Sequence, residues 1–282
     1  PAELQTALLA GGEVTLGGNI DLGNDRFWIK DVSTAIVLDL NGYTLSSTRS
    51  QNGSGNVLYL DKNVDLTVCD SSTAGTGAIS AACEPVQLAG SGAMFTLKSG
   101  KIEATASNVY GVIYGSANTT ININGGVVYA TRTSDYSQQV NAIGCAGSLV
   151  MTAGEVETYI PADGSVQKAA GMDISGTATI TGGTITVNHT GKRGYADSFA
   201  CGISTSSAGA VTVSGDATVS VTASNSEYGT DAYGVYIGKN SNGTISVEGG
   251  TFSVSAMTSE RAYAVGKNSS SSGTPTVSGG SF

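Results

Sequence analysis

Basic residues are scarce in this chain. Thirteen lysines and arginines face 22 aspartates and glutamates over 282 residues, for a net charge of −9. Nucleic acid and anionic membrane surfaces are held by clustered lysine and arginine, so this balance, with no basic run, argues against both as partners. The most basic stretch, Lys192-Arg193 after His189, is an isolated loop feature and is given no role. No apolar segment is long enough to cross a bilayer or to form a signal-peptide core, which argues against membrane insertion. Histidine occurs once, at His189, where a solvated loop position is expected. No Cys/His spacing suits zinc, and no glycine pair between strand and helix cradles a phosphate, so no metal and no cofactor are expected.

Cysteine is also rare, with four residues. Cys145 and Cys201 fall in different repeat columns two coils apart, about 9 to 10 Å along a solenoid axis, whereas a disulfide needs Cα atoms within about 7 Å. Cys69 and Cys83 are close enough in sequence to pair, but Cys83 follows Ile79 and Ala81 in phase and is expected to point inward. Buried free thiols, behaving as small hydrophobes, are the expectation.

What the chain does have is glycine, 40 residues against four prolines, together with a hydrophobic fraction of 40%. That fraction is too high for a disordered chain, so there is a core to bury. The glycines recur. Turns at Gly18, Gly42, Gly77, Gly100, Gly126, Gly154, Gly183, Gly215, Gly250 and Gly280 each precede a short strand, and (280 − 18)/9 gives a mean spacing of about 29 residues. A second marker, an apolar residue opening another strand, recurs at Ile29, Val57, Val86, Val112, Ile143, Met172, Ile203, Val235 and Val265. In the later coils it follows Gly or Ala. Between the markers the period is two, as in 178–187, where Ala178, Ile180, Ile185 and Val187 share one face.

Strands returning every 30 residues without helical crossovers must stack in parallel on their successors. The sequence therefore predicts an all-β fold, a right-handed parallel β-helix of about ten coils forming one domain over residues 1–282. Residues 1–12 are expected to cap it, with Leu4 and Leu8 one turn apart on a short helix that stops at Gly11-Gly12, because an open solenoid end exposes core and unpaired backbone. Residues 13–282 form the coils. A start at Pro1 and an unfinished last coil lead to the expectation that the chain is a piece of a longer protein with additional domains.

Residues 2 to 45, through Ala35-Ile36-Val37-Leu38-Asp39-Leu40-Asn41-Gly42-Tyr43-Thr44-Leu45, together with Asp65-Leu66-Thr67-Val68-Cys69-Asp70-Ser71, resemble the opening of pectin-lyase-like β-helix domains of bacterial secreted and cell-surface proteins. The resemblance implies an extracellular or bacterial cell-surface location and an adhesin-like or glycan-binding role, with a polysaccharide or a host glycan or protein as partner. Relatives on that fold are also polysaccharide lyases and glycoside hydrolases, and fold alone does not choose between these roles. Polygalacturonase-like members share Asn-Thr-Asp, Asp-Asp, Gly-His-Gly and Arg-Ile-Lys motifs, and none of the four occurs here. The five arginines, Arg26, Arg49, Arg132, Arg193 and Arg261, are scattered rather than set beside clustered carboxylates. A non-catalytic module is the leading reading, with a lyase or hydrolase acting on a surface groove, or a structural spacer stalk, as alternatives.

Two outward features carry what chemistry the sequence offers. Aligning positions after the glycine turn puts Glu103, Tyr129, Glu157, Thr186, Thr218 and Ser253 in one column. Glu103 and Glu157 then lie two rungs apart, about 9 to 10 Å, with Tyr129 between them. That is near the carboxyl separation of an inverting glycosidase, with Tyr129 as a ligand-binding residue whose ring can stack on a sugar, and equally what an exposed sheet face of an acidic protein contains. The second feature is tyrosine: Tyr136, Tyr195, Tyr228, Tyr233 and Tyr263, with Asp231, fall in variable segments expected to leave the same corner of successive coils. They suit sugar binding by ring stacking and hydroxyl hydrogen bonds, or simple packing of one coil on the next, since Tyr110, Tyr233 and Tyr263 share a repeat position.

Overall fold

The computed structural model describes all residues except 51–55, 83, 106–110, 133–135, 194–197, 225–229 and 258–259, and the side chains of 136–138 and 192–193. It is a right-handed parallel β-solenoid with a repeat near 30 residues and one short N-terminal helix, Ala2–Ala10. Three strand positions recur per coil. The first two build a 17-stranded sheet that wraps two faces of the rod, and the third builds a separate ten-stranded sheet, all in parallel register. Complete three-stranded coils number about seven rather than ten. In two further coils the first and second strands fuse into the long strands Thr120–Thr131 and Ser148–Ile160, and the last coil is Thr274–Val277 with a bridge from Thr251 to Ser281.

Parallel, in-register stacking turns each inward position into a ladder of like side chains. Leu38, Val68, Leu97, Ile123, Met151, Ile180, Val213 and Val247 follow one another rung by rung, and all are buried. Such ladders hold the rod together by the hydrophobic effect, since a single coil leaves both its flanks in water. At the N-terminal end Leu4 and Leu8 of the helix are buried against the first coil, and the helix stops at Gly11, which takes φ 75. The cap is as the amphipathic spacing requires.

The motifs that carry the family resemblance make the turns between the first and second faces. Asp39 accepts the backbone N–H groups of Asn41 and Ser71 and the Ser71 hydroxyl, and Asp70 accepts those of Gly42, Ser72 and Gly77. Partial burial opposes ionisation of both carboxyls, but these hydrogen bonds outweigh it and hold each below the usual carboxylate range. Asp39 and Asp70 are thus turn-builders that stitch successive coils.

Two registers differ from the sequence reading. At the glycine turn, Thr218 bonds to the Gly183 carbonyl and Thr251 to the Ala217 carbonyl, so Ala217 rather than Gly215 occupies the repeat position. The turn is two residues longer there, and Ser220, not Thr218, continues the Glu103 column. In the early coils the second marker slips as well. Phe27, Leu58 and Ile113 share a column with Val86 and Ile143, in place of Ile29, Val57 and Val112. Both members of Val57-Leu58 and of Val112-Ile113 are fully buried, because the chain bends there and two consecutive residues face inward.

Candidate functional site

That bend shapes the third face. Gly171, Gly202 and Gly234 stand at it, and none has room for a side chain. A Cβ would lie 2.5 Å from Ile185 Cγ2 at Gly171, would collide with Val219 at Gly202, and would lie 2.9 Å from the Phe252 ring at Gly234. With two inward residues in a row, positions three apart, such as Tyr233 and Tyr236, both turn away from the main core, Tyr236 lying buried beneath its neighbours.

The outcome is a cluster of four rings over three successive strands, Phe199–Thr205, Asp231–Ile237 and Ala262–Lys267. Tyr233 stacks on Tyr263 with centroids 5.6 Å apart and 13° between planes, and meets Tyr236 at 4.4 Å. Phe199 closes the group at 4.7 Å from Tyr236 and 6.3 Å from Tyr233. The rings rest on Ala170 and Cys201, apart from the main core, and Tyr263 remains 41% exposed. Polar groups ring the patch. Tyr233 donates to Asp231 at 3.1 Å, Asp231 accepts the Arg261 backbone N–H, and Asn268 donates to the Tyr236 oxygen at 3.2 Å. Burial, and then Asp231, push the Tyr233 phenol well above its ordinary pKa. Beside them Lys168 pairs with Asp173 at 2.8 Å, and Asp173 accepts from Ser204 at 2.8 Å.

Tyr236 belongs to an outward column running the length of this face. Trp28, Tyr59, Gln87, Tyr114, Gly144, Asp173, Ser204 and Tyr236 pair rung to rung. Its N-terminal end is aromatic too. Trp28, 45% exposed, meets Tyr59 edge-to-face at 6.0 Å and donates its indole N–H to Asp61 at 3.1 Å. Arg26 lies 4.5 Å over Tyr59, and Lys30 lies 4.8 Å over Trp28. Midway along the column, Tyr114 is raised in pKa by burial and by the carboxylates of Glu84 and Asp173.

Of the tyrosines expected to form a site, the structure brings Tyr233 and Tyr263 together beside Asp231. They sit on strands in register and pack coil on coil, rather than in loops. Tyr136 opens the strand Tyr136–Cys145, its side chain outside the described atoms; Tyr110, Tyr195 and Tyr228 lie outside the described residues. Sequence reasoning missed Phe199, Tyr236, Trp28 and Tyr59. The signal for Tyr236 was its spacing of three from Tyr233 across Gly234-Val235, which an unbroken period of two assigns elsewhere.

The acidic column is real as a register. Glu103 pairs with Tyr129 and Tyr129 with Glu157 on the second face, all half-buried. Lys101 occupies its upper part: its ammonium lies 2.6 Å from Glu103 and 4.5 Å from the Tyr129 ring centre.

The thiols are free at Cys69, Cys145 and Cys201, and Cys83 lies outside the described residues. Burial pushes Cys145 up to about 11 and Cys201 up to about 12, so both are inert. Cys69 departs from the expectation of a buried thiol. It ends the strand Asp65–Cys69 on the outward phase with Asp65 and Thr67, and is only half-buried. His189 departs further. It closes the strand Thr184–His189 on the inward phase, is fully buried, and neither ring nitrogen has a hydrogen-bond partner. Burial lowers its pKa to about 4, so it is neutral at physiological pH. Among the described residues no group of three or more His, Cys, Asp or Glu side chains is placed to hold a metal.

Comparisons with protein-family models, with curated proteins and with solved structures return no match for this chain.

Proposed function

We propose that this solenoid is a non-catalytic glycan-binding module of an extracellular, adhesin-like bacterial surface protein, and that the ring cluster on its third face is where sugar binds. The observation that carries this reading is the grouping of Phe199, Tyr233, Tyr236 and Tyr263 on three consecutive rungs, with Tyr263 open to solvent and polar partners at the edge. An exposed phenol ring offers a flat apolar surface to the C–H face of a pyranose, while Asp231, Arg261 and Asn268 supply hydroxyl partners; rings fixed by their neighbours lose little entropy on binding. The pectin-lyase-like resemblance of residues 2–45 and 65–71, in the first three coils, supports the surface location. Glu103 is already paired with Lys101, whose ammonium also lies over the Tyr129 ring, and this supports binding over hydrolysis at that column.

A glycan array followed by calorimetry on the strongest ligand tests it. Tyr263→Ala is expected to weaken binding about tenfold, the loss of one stacked ring, and Glu157→Gln to leave it unchanged. An array without a ligand, or a Tyr263→Ala protein that binds as the parent does, overturns the proposal. So does release of reducing ends from a bound polysaccharide that Glu157→Gln abolishes.

A further inference from the structure

The hydroxyl-bearing surface of the first face repeats on a lattice, and we infer that it binds ice. The ring cluster lies on the third face, so the two sites are independent of one another.

Two outward columns stand side by side over the last four coils, Thr177, Ala210, Thr244 and Thr274 in one and Thr179, Thr212, Ser246 and Thr276 in the other. Two earlier rungs, Ser148 with Val150 and Thr120 with Asn122, extend both columns in the same register. Seven of these twelve positions are threonine and none is charged, although the chain carries 13 basic and 22 acidic side chains. Exposed sheet surfaces usually carry charge, which keeps them apart from one another, and its absence over six rungs sets this surface apart. At its margin Ser246 donates to Glu248.

Spacing and rigidity identify the ligand. Stacked strands are about 4.8 Å apart and alternate residues on one strand about 6.7 Å apart, so the columns form a rectangular net about 24 Å long. Beneath it the ladder of Ile180, Val213 and Val247 is buried and continuous, and a side-chain ladder of this kind holds a many-stranded sheet flat. Threonine is branched at Cβ, so its hydroxyl and methyl stand in few rotamers and lose little entropy when a ligand fixes them. Thr177, Thr179, Thr244 and Thr274 are exposed, and no hydrogen bond within the described structure takes their hydroxyls. A net of rigid hydroxyls and methyls without charge matches a ligand that is itself an uncharged net. The oxygens on a prism plane of hexagonal ice repeat at two perpendicular distances close to these, so waters held between the threonine rows continue the crystal while the methyl groups fill the spaces between them. A dissolved sugar or peptide has no such two-dimensional repeat.

The test grows an ice shell slowly from a dilute solution of the protein with serum albumin and measures the ratio of the two proteins in ice and in liquid, with recrystallisation of ice in a frozen sucrose film read in parallel. Expected is enrichment of the parent protein in the ice and arrest of recrystallisation. Thr179→Lys and Thr244→Lys, at exposed positions inside the net, each lift a long charged side chain between the protein and the crystal and are expected to bring both readouts down to those of albumin. Ser253→Lys adds the same charge at an exposed position of the second face and is expected to leave both as in the parent. Melting temperatures equal to the parent's establish that the variants are folded. A parent protein excluded from ice as albumin is overturns the proposal. So do Thr179→Lys and Thr244→Lys proteins that enter ice as the parent does, or a Ser253→Lys protein that loses ice binding with them.

Discussion

His189 makes acid stability the sharpest test of how this core is built. The imidazole is fully buried on an inward ladder between Ile160 and Ala223, with neither nitrogen hydrogen-bonded, and its pKa is lowered from 6.5 to about 4 by loss of water. In the unfolded chain the same group takes up a proton near pH 6.5. Between these values the unfolded state binds more protons than the folded one, so stability falls as pH falls. The contribution is fully present above about pH 6.5, declines through pH 5, and is gone at about 4. Two and a half pH units at 1.36 kcal/mol each give about 3 kcal/mol, or about 6 °C in melting temperature for a chain of this length. His189→Leu fills the same space with a side chain that does not titrate and removes two unsatisfied polar atoms, so at pH 7 it is expected to be no less stable than the parent. Thermal melts of both proteins at half-unit steps from pH 7.5 to 4 measure the difference directly. Asp39 and Asp70, whose lowered pKa values make their own contributions fall away as pH drops from the ordinary carboxylate range downward, are common to both proteins and cancel in the comparison. Parallel curves for parent and variant across pH 6.5 to 4 refute the argument.

Further tests address the turns, the bend and the acidic column. Asp70→Ala removes the acceptor of three backbone N–H groups at a part-buried turn and is expected to cost about 3 kcal/mol in chemical denaturation, with Asp70→Asn recovering part of it. The parent's own Asp70 contribution is present at neutral pH and disappears as pH drops through the lowered folded pKa. Gly202→Ala forces a methyl group into Val219 and the Gly234 carbonyl, so a loss of about 1 to 3 kcal/mol is expected from the same measurement. Unchanged stability shows that the bend has slack. Glu103→Gln breaks an ion pair whose lysine is 40% exposed, and a melting temperature within about 2 °C of the parent is expected. A larger drop marks the Glu103, Lys101 and Tyr129 group as structural.

Whatever a coil needs in order to stack was legible in the sequence, and the reason is physical. An inward side chain must match the rung above and the rung below, so Val213, Val247 and their ladder mates repeat, and a repeat can be read. The turn glycines are legible on the same ground, since Gly183 and Gly250 need φ 85 and 91, which other residues rarely adopt. Legibility ended where local geometry departs from a strict period of two. His189 looked solvated because Thr190, Gly191 and Lys192 follow it, while its phase with Ile185 and Val187 placed it inside. Thr218 looked like the heir of Thr186 because the Gly215 turn conceals two extra residues. The bend at Gly202 and Gly234 was visible only as a preference for small residues before the apolar marker.

Outward positions of the third face are freed from that matching, so repetition says nothing about them, and a binding surface must be built there. Trp28 and Tyr236 share a column but not a residue type, and Gly144 and Ser204 between them conform to no pattern that a repeat search rewards. Their association is a consequence of register: a one-residue slip of the strand Asp231–Ile237 that seats Val235 where Tyr236 now stands turns Tyr236 to the core. The same arithmetic explains why tyrosine abundance pointed near the site without locating it. Tyr233 and Tyr263 are two strands' contribution to a surface whose other members, Phe199 and Tyr236, become neighbours only after the glycine bend turns residues three apart to the same side. Which rings stand together on this face is therefore a property of the stacking, set by the spacing of the strands and the size of the bend.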